Sequence, residues 1–142
     1  MVIRRILWGA WYWAPVLGYA GLIFFMSSMP NPEELAPSVF DAVGDKGLHG
    51  IEYGILGLLC FRAFRRAAGA RAADYALGLA VAAASLYGLT DEVHQAFVPS
   101  RESSMWDWVA DTLGAWAAVA GWQWLSTIWT GNQRTPLYQS KP

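Results

Sequence analysis

The sequence predicts an all-α membrane protein, an antiparallel bundle of four transmembrane helices. Three observations carry that expectation. Of the 142 residues, 55% are hydrophobic and 15% charged, whereas a soluble domain has about 25% charged residues. Nine residues are tryptophan, a side chain favoured where a bilayer meets water because its ring is part apolar and part polar. The basic residues also segregate to one side of the apolar runs, as set out below.

The first run, "ILWGAWYWAPVLGYAGLIFFM", covers Ile6 to Met26. About 20 apolar residues cross a bilayer. Arg4 and Arg5 precede it as they would a signal peptide. Its core exceeds the roughly 7–15 residues of a signal h-region, and no small-residue cleavage site is evident before Pro30, so a retained helix is expected. Pro15 is tolerable where neighbouring helices satisfy the freed carbonyl. The following "SSMPNPEELAPSVFDAVGDKG" is proline-rich and acidic, and reads as a loop.

The next apolar runs, Tyr53 to Phe64 and Tyr75 to Leu89, are too short to cross alone. They reach the needed length only if their helices take in His49 and Glu52, or Asp91, Glu92, His94 and Gln95. Pro99 stops the latter helix. The last run, Trp108 to Leu125, is long enough and contains Asp111. The expected spans are 6–26, 48–64, 73–97 and 107–126, with 127–142 a flexible cytoplasmic tail.

Four spans put both termini on one side. Arg4, Arg5, Arg62, Arg65, Arg66, Arg71, Arg134 and Lys141 then share that side, and only Lys46 and Arg101 lie opposite. This asymmetry orients the termini to the cytoplasm. The expected setting is the cytoplasmic membrane, with the lipid bilayer as partner. The arginines after the second span orient the chain and touch anionic headgroups; no nucleic-acid partner is expected. The single cysteine, Cys60, excludes an internal disulfide and a cysteine metal cluster.

His49, Glu52 and Tyr53 share one helix face by i, i+3, i+4 spacing, and Asp91, His94 and Gln95 repeat it. Asp107 and Asp111 are four apart, and Gly114 and Ala118 extend their stripe. All three sets lie near the outer ends of their helices. A charge facing lipid costs several kcal/mol, so the stripes are expected to turn inward and line an outward-opening cup, with Lys46 and Arg101 at its rim. Gly50-x-x-x-Gly54 on one helix, and Ala110, Gly114 and Ala117 or Ala118 on another, permit close packing beside it.

The candidate catalytic residues are His49, Glu52, Asp91, Glu92, His94 and Asp111, as general acids and bases in a buried setting. The candidate binding residues are Lys46, Tyr53, Gln95, Arg101 and Asp107, with Arg101 and Lys46 suited to a phosphate. Neither Ser nor Cys lies in the stripes to act as a nucleophile. A divalent metal is a further possibility, since His49-x-x-Glu52 and Asp91-x-x-His94 each place a histidine and a carboxylate on one face. The opposing reading is a structural network that only locks the helices. The cytoplasmic halves, such as "GLAVAAAS", offer no polar path for transport. No phosphate-binding glycine loop or nucleophile elbow is present.

Two segments, "DKGLHGIEYGILG" and "DEVHQAFVPSRESSMWDWVADTLGA", resemble the signature blocks of the VanZ-like family of small bacterial membrane proteins. The matching positions are Asp45, Lys46, His49, Tyr53, Asp91, Glu92, Gln95, Phe97, Pro99, Arg101, Asp107, Asp111 and Gly114. Glu52 and His94 match common variants. Gly50 stands where the family often has Phe, Ser100 where it often has Gly, and Asp111 where many members have Asn. The resemblance implies an integral membrane protein that binds or acts on an envelope component: a lipid, a lipid-linked precursor or a glycopeptide. The family's founding member is associated with low-level teicoplanin resistance.

Overall fold

The computed structural model describes residues 2–35 and 37–132. Every regular element among them is helical: α1 (Val2–Ser27), a 3-10 turn (Pro32–Leu35), α2 (Pro37–Val43), α3 (Asp45–Ala67), α4 (Ala70–Asp74), α5 (Ala76–Gln95) and α6 (Met105–Asn132). Two segments, Ile6–Ser27 and Ala76–Gln95, are long and apolar enough to cross a membrane. Helices α3 and α6 are also long, at 23 and 28 residues.

Several boundaries differ from those expected. The segment after α1 is not all loop. Pro32 opens the 3-10 turn and Pro37 opens α2, a position where the missing N–H of proline leaves no helical bond unmade. The third helix was expected over 73–97, but it breaks at Tyr75 and ends at Gln95. Arg71 and Asp74 thus sit on the separate short helix α4. Helix α6 continues to Asn132, into the part expected to be tail. The remainder, with Arg134 and Lys141, lies outside the described residues.

Helix α3 is the hub and touches α1, α2, α4, α5 and α6. It lies closest to α6, and glycine explains how. A Cβ on Gly114 would overlap the carbonyl of Gly50, and one on Gly57 would come within 3.1 Å of Ala115 Cα. Gly54 faces Gly114 and Ala118. The two helices run in the same direction, with Lys46 opposite Asp107 and Gly54 beside Ala118. Small residues also build the inner face of α5, where Ala76, Ala80, Ala84 and Gly88 recur at every fourth position and are buried. At such approach distances, dispersion contacts and backbone-level packing replace large side chains as the cohesive element.

Hydrogen bonds reinforce this core. Ser85 Oγ and Thr112 Oγ1 are 2.7 Å apart, and Trp108 Nε1 donates to the Ser85 carbonyl at 3.0 Å. Tyr87 OH donates to the Ala20 carbonyl at 2.6 Å and ties α5 to α1. At the other end of α1, Trp8 Nε1 donates to the Arg66 carbonyl at 3.2 Å, and the Arg62 guanidinium stacks on Tyr12.

The distribution of polarity is the reverse of a soluble protein. Ile6, Leu7, Trp11, Leu17, Phe25, Leu86, Trp116 and Trp122 are all more than half exposed, while His49, Asp91, Glu92, Asp107 and Asp111 are at most 8% exposed. Exposed apolar surface on this scale marks contact with lipid or another apolar partner.

Candidate functional site

Helices α3, α5 and α6 each deliver polar side chains to the same end of the molecule. On α3, Lys46 and His49 are one turn apart; on α6, Asp107 and Asp111 are likewise. They pair in register. Lys46 Nζ donates to Asp107 Oδ1 at 2.6 Å, and His49 Nδ1 lies 3.0 Å from Asp111 Oδ1. The outer pair is half in solvent, with the Lys46 side chain 57% exposed. The hydrogen bond it donates to Asp107, with the charge of that carboxylate, raises the Lys46 ammonium pKa above its ordinary value. The inner pair is enclosed, with Asp111 fully buried.

Asp91, His94 and Gln95 were expected to share a face with the cup, and the structure divides them. Gln95 Nε2 donates to Asp91 Oδ2 at 2.9 Å, and both are buried. Glu92 points toward the turn before α6, where the backbone N–H of Ser104 donates to its Oε2 at 2.6 Å. His94 turns to α1. Its Nε2 lies 3.0 Å from Ser28 Oγ, and its ring lies 4.5 Å from that of Phe24. Thus His94 stands apart from the other candidate residues.

A pocket of about 240 Å³ opens between α1, α2, α3, α5 and the turn before α6. Its lining includes His49, Glu52, Asp91, Gln95 and Arg101 together with Ile23, Met26, Phe40, Leu48 and Ile51. It is therefore amphipathic. A second, more polar depression beside it shares His49, Gln95 and Arg101 and adds Ser100, Glu102 and Asp107. Arg101 borders both. Among the described residues its guanidinium has no carboxylate within 4 Å, and its buried Nε has no hydrogen-bond partner.

Tyr53 is fully buried and does not line the pocket, and its hydroxyl has no partner among the described residues. It stands against α5 at Gly88. A Cβ there would come within 2.8 Å of Asp111 Oδ2 and 3.2 Å of Tyr53 Cε1. Gly88 is thus a site residue that the ionisable pattern did not reveal. Its signal was the four-residue spacing of Ala76, Ala80, Ala84 and Gly88, which runs directly into Asp91 and Glu92. Ser104 and Ser28 were likewise missed. Both act through contacts fixed by the course of the turns, which spacing does not encode.

Ser100 explains one of the sequence departures. Its φ is +66°, in the left-handed region that glycine enters without strain. It turns the chain so that Arg101 comes back over the pocket.

A cluster of histidine and carboxylates also allows a metal to be considered. The ligand atoms of His49, Glu92 and Asp111 lie within 4.8 Å of one another, as do those of Asp45, His49 and Asp107. Neither Glu52 nor His94 belongs to these sets, so the two short motifs read in the sequence are not the ones the fold assembles.

No curated protein and no solved structure matches the chain. The VanZ/LLP1 family model matches residues 12–126, from the first long helix through most of the last. With that coverage, the chain belongs to the VanZ/LLP1 family.

Proposed function

We propose that this chain is a four-span integral membrane protein with cytoplasmic termini, whose outward-facing pocket binds a phosphate-bearing amphiphile of the cell envelope. The observation that carries this reading is Arg101. It places an unpaired guanidinium, with a buried Nε lacking a partner among the described residues, on a pocket whose lining joins a few polar groups to a larger apolar surface. A planar guanidinium suits a phosphate bidentately. Ile23, Met26 and Ile51 suit an acyl or prenyl chain. The topology is supported by the exposed apolar side chains on α1, α5 and α6, and by the grouping of Arg62, Arg65 and Arg66 with the first turns of α1.

Glu52 faces the same pocket and is the carboxylate best placed for proton transfer to a bound headgroup. A second reading, a network that only locks the helices, is favoured by the mutual pairing of His49 with Asp111 and of Gln95 with Asp91. Arg101 distinguishes the two, because a locking network has no need of an unpaired cation.

Native mass spectrometry of the protein in mild detergent tests the proposal. The wild type is expected to carry a phosphate-bearing lipid or lipid-linked precursor that Arg101→Gln loses at unchanged thermal stability. Equal lipid occupancy in both proteins contradicts it.

A further inference from the structure

We propose that His49, Glu92 and Asp111 form a divalent-cation site of the class that takes Zn²⁺. The three residues come from α3, α5 and α6, and they are 8%, 4% and 0% exposed. Their ligand atoms lie within 4.8 Å of one another. Ligands on a tetrahedral ion with bonds of about 2.0–2.1 Å are roughly 3.3 Å apart, so small side-chain rotations close the site.

Polar accounting points the same way. Glu92 Oε1 and Asp111 Oδ2 are buried and have no partner among the described residues. Buried acceptors without a donor are rare. Carboxylate oxygens only accept, and here two carboxylates face one histidine. Lys46 is engaged by Asp107, and among the described residues Arg101 has no carboxylate within 4 Å. A dication supplies the missing positive charge and satisfies both orphan oxygens. Gly88 contributes by omission, since any larger residue would crowd Asp111 Oδ2. The alternative set of Asp45, His49 and Asp107 is weaker, because Lys46 already holds Asp107 and Asp45 is exposed.

One nitrogen and two oxygens suit a borderline ion such as Zn²⁺ better than a soft one. Three protein ligands leave a position for water or a substrate oxygen, the arrangement used by catalytic rather than structural zinc. The inference does not depend on lipid binding.

The test uses the full chain in lipid-free detergent, stripped by a chelator and titrated with Co²⁺. One ion per chain is expected, with visible d–d bands and a raised Tm, and Zn²⁺ is expected to displace it. Loss of groups that merely orient a ligand reduces metal affinity about 10–100-fold, so Glu92→Gln is expected to lower affinity by at least about 100-fold. His94→Gln is expected to leave it within about twofold, since its side chain is turned to Ser28 and Phe24 instead. Absence of saturable Co²⁺ and Zn²⁺ binding by the wild type overturns the site, even if a variant fails to fold. So does binding that survives both Glu92→Gln and Asp111→Asn. Because no lipid is present, either failure leaves the Arg101 pocket untouched.

Discussion

His49 Nδ1 lies 3.0 Å from Asp111 Oδ1, one turn below the Lys46–Asp107 pair that joins the same two helices nearer solvent. The two pairs have similar chemistry and different surroundings, so their energetic weights should separate. Replacing His49 by Gln strips a fully buried carboxylate of the imidazole it pairs with, and breaking a buried pair typically costs about 3–5 kcal/mol. Replacing Lys46 by Met removes a partner that is itself mostly in solvent, and should destabilise less than the loss of His49. Thermal unfolding in detergent micelles, followed by circular dichroism, compares them. Equal effects would mean that the inner pair is solvated.

His94 provides the contrast within the histidines. Its hydrogen bond reaches Ser28, on the edge of α1. His94→Gln should therefore reduce stability by only about 0.5–1.5 kcal/mol and leave lipid occupancy unchanged. Loss of bound lipid in this variant would place His94 in the pocket.

Gly114 and Gly50 meet backbone to backbone, yet the two positions should respond differently to alanine. A Cβ on Gly114 overlaps the Gly50 carbonyl, whereas one on Gly50 comes only to 3.6 Å from the Ala110 carbonyl. Gly114→Ala is expected to destabilise by about 1–3 kcal/mol or more, and Gly50→Ala to be near neutral. Purified yield and unfolding temperature report the difference.

Gly88→Ala should disturb the site itself, because the new methyl group meets Asp111 Oδ2. The control is Gly78→Ala on the same helix, where a Cβ meets nothing within 4 Å. Removing a helical glycine there is expected to stabilise by about 0.5–1 kcal/mol. The pair of melting curves should move in opposite directions.

Ser100 pays for its left-handed backbone. Glycine at this position should raise stability by about 1 kcal/mol without altering lipid occupancy, since only the turn relaxes. A fall in stability would show that the Ser100 side chain has a role beyond its backbone.

Much of this arrangement was legible from spacing alone. The Gly50/Gly54 stripe, read as a close-packing face, meets Gly114 and Ala118, whereas the pairing of Lys46 with Asp107 and of His49 with Asp111 was not read from spacing. The stripe depends on two helices packed face to face, where i, i+3, i+4 spacing decides contact. Helix α5 was less legible because it has neighbours on three sides, α1, α3 and α6. Asp91, Glu92 and His94 are close in sequence, yet each turns to a different surrounding. Spacing groups Asp91 with His94, whereas the fold groups Glu92 with His49 and Asp111. The helix after Pro37 and the break at Tyr75 were hidden for another reason: proline and a short arginine-rich stretch read as loop when tertiary contacts are unknown.

Membrane orientation of the site is tested most directly by single-cysteine labelling in intact cells. With Cys60 replaced by Ala, cysteines are placed at Ser103, in the exposed turn beside Arg101, and at Ala68, beyond the exposed arginine end of α3. A membrane-impermeant maleimide is expected to label Ser103→Cys in intact cells and Ala68→Cys only after lysis. Labelling of Ala68→Cys in intact cells, with Ser103→Cys protected, would contradict an outward-facing pocket.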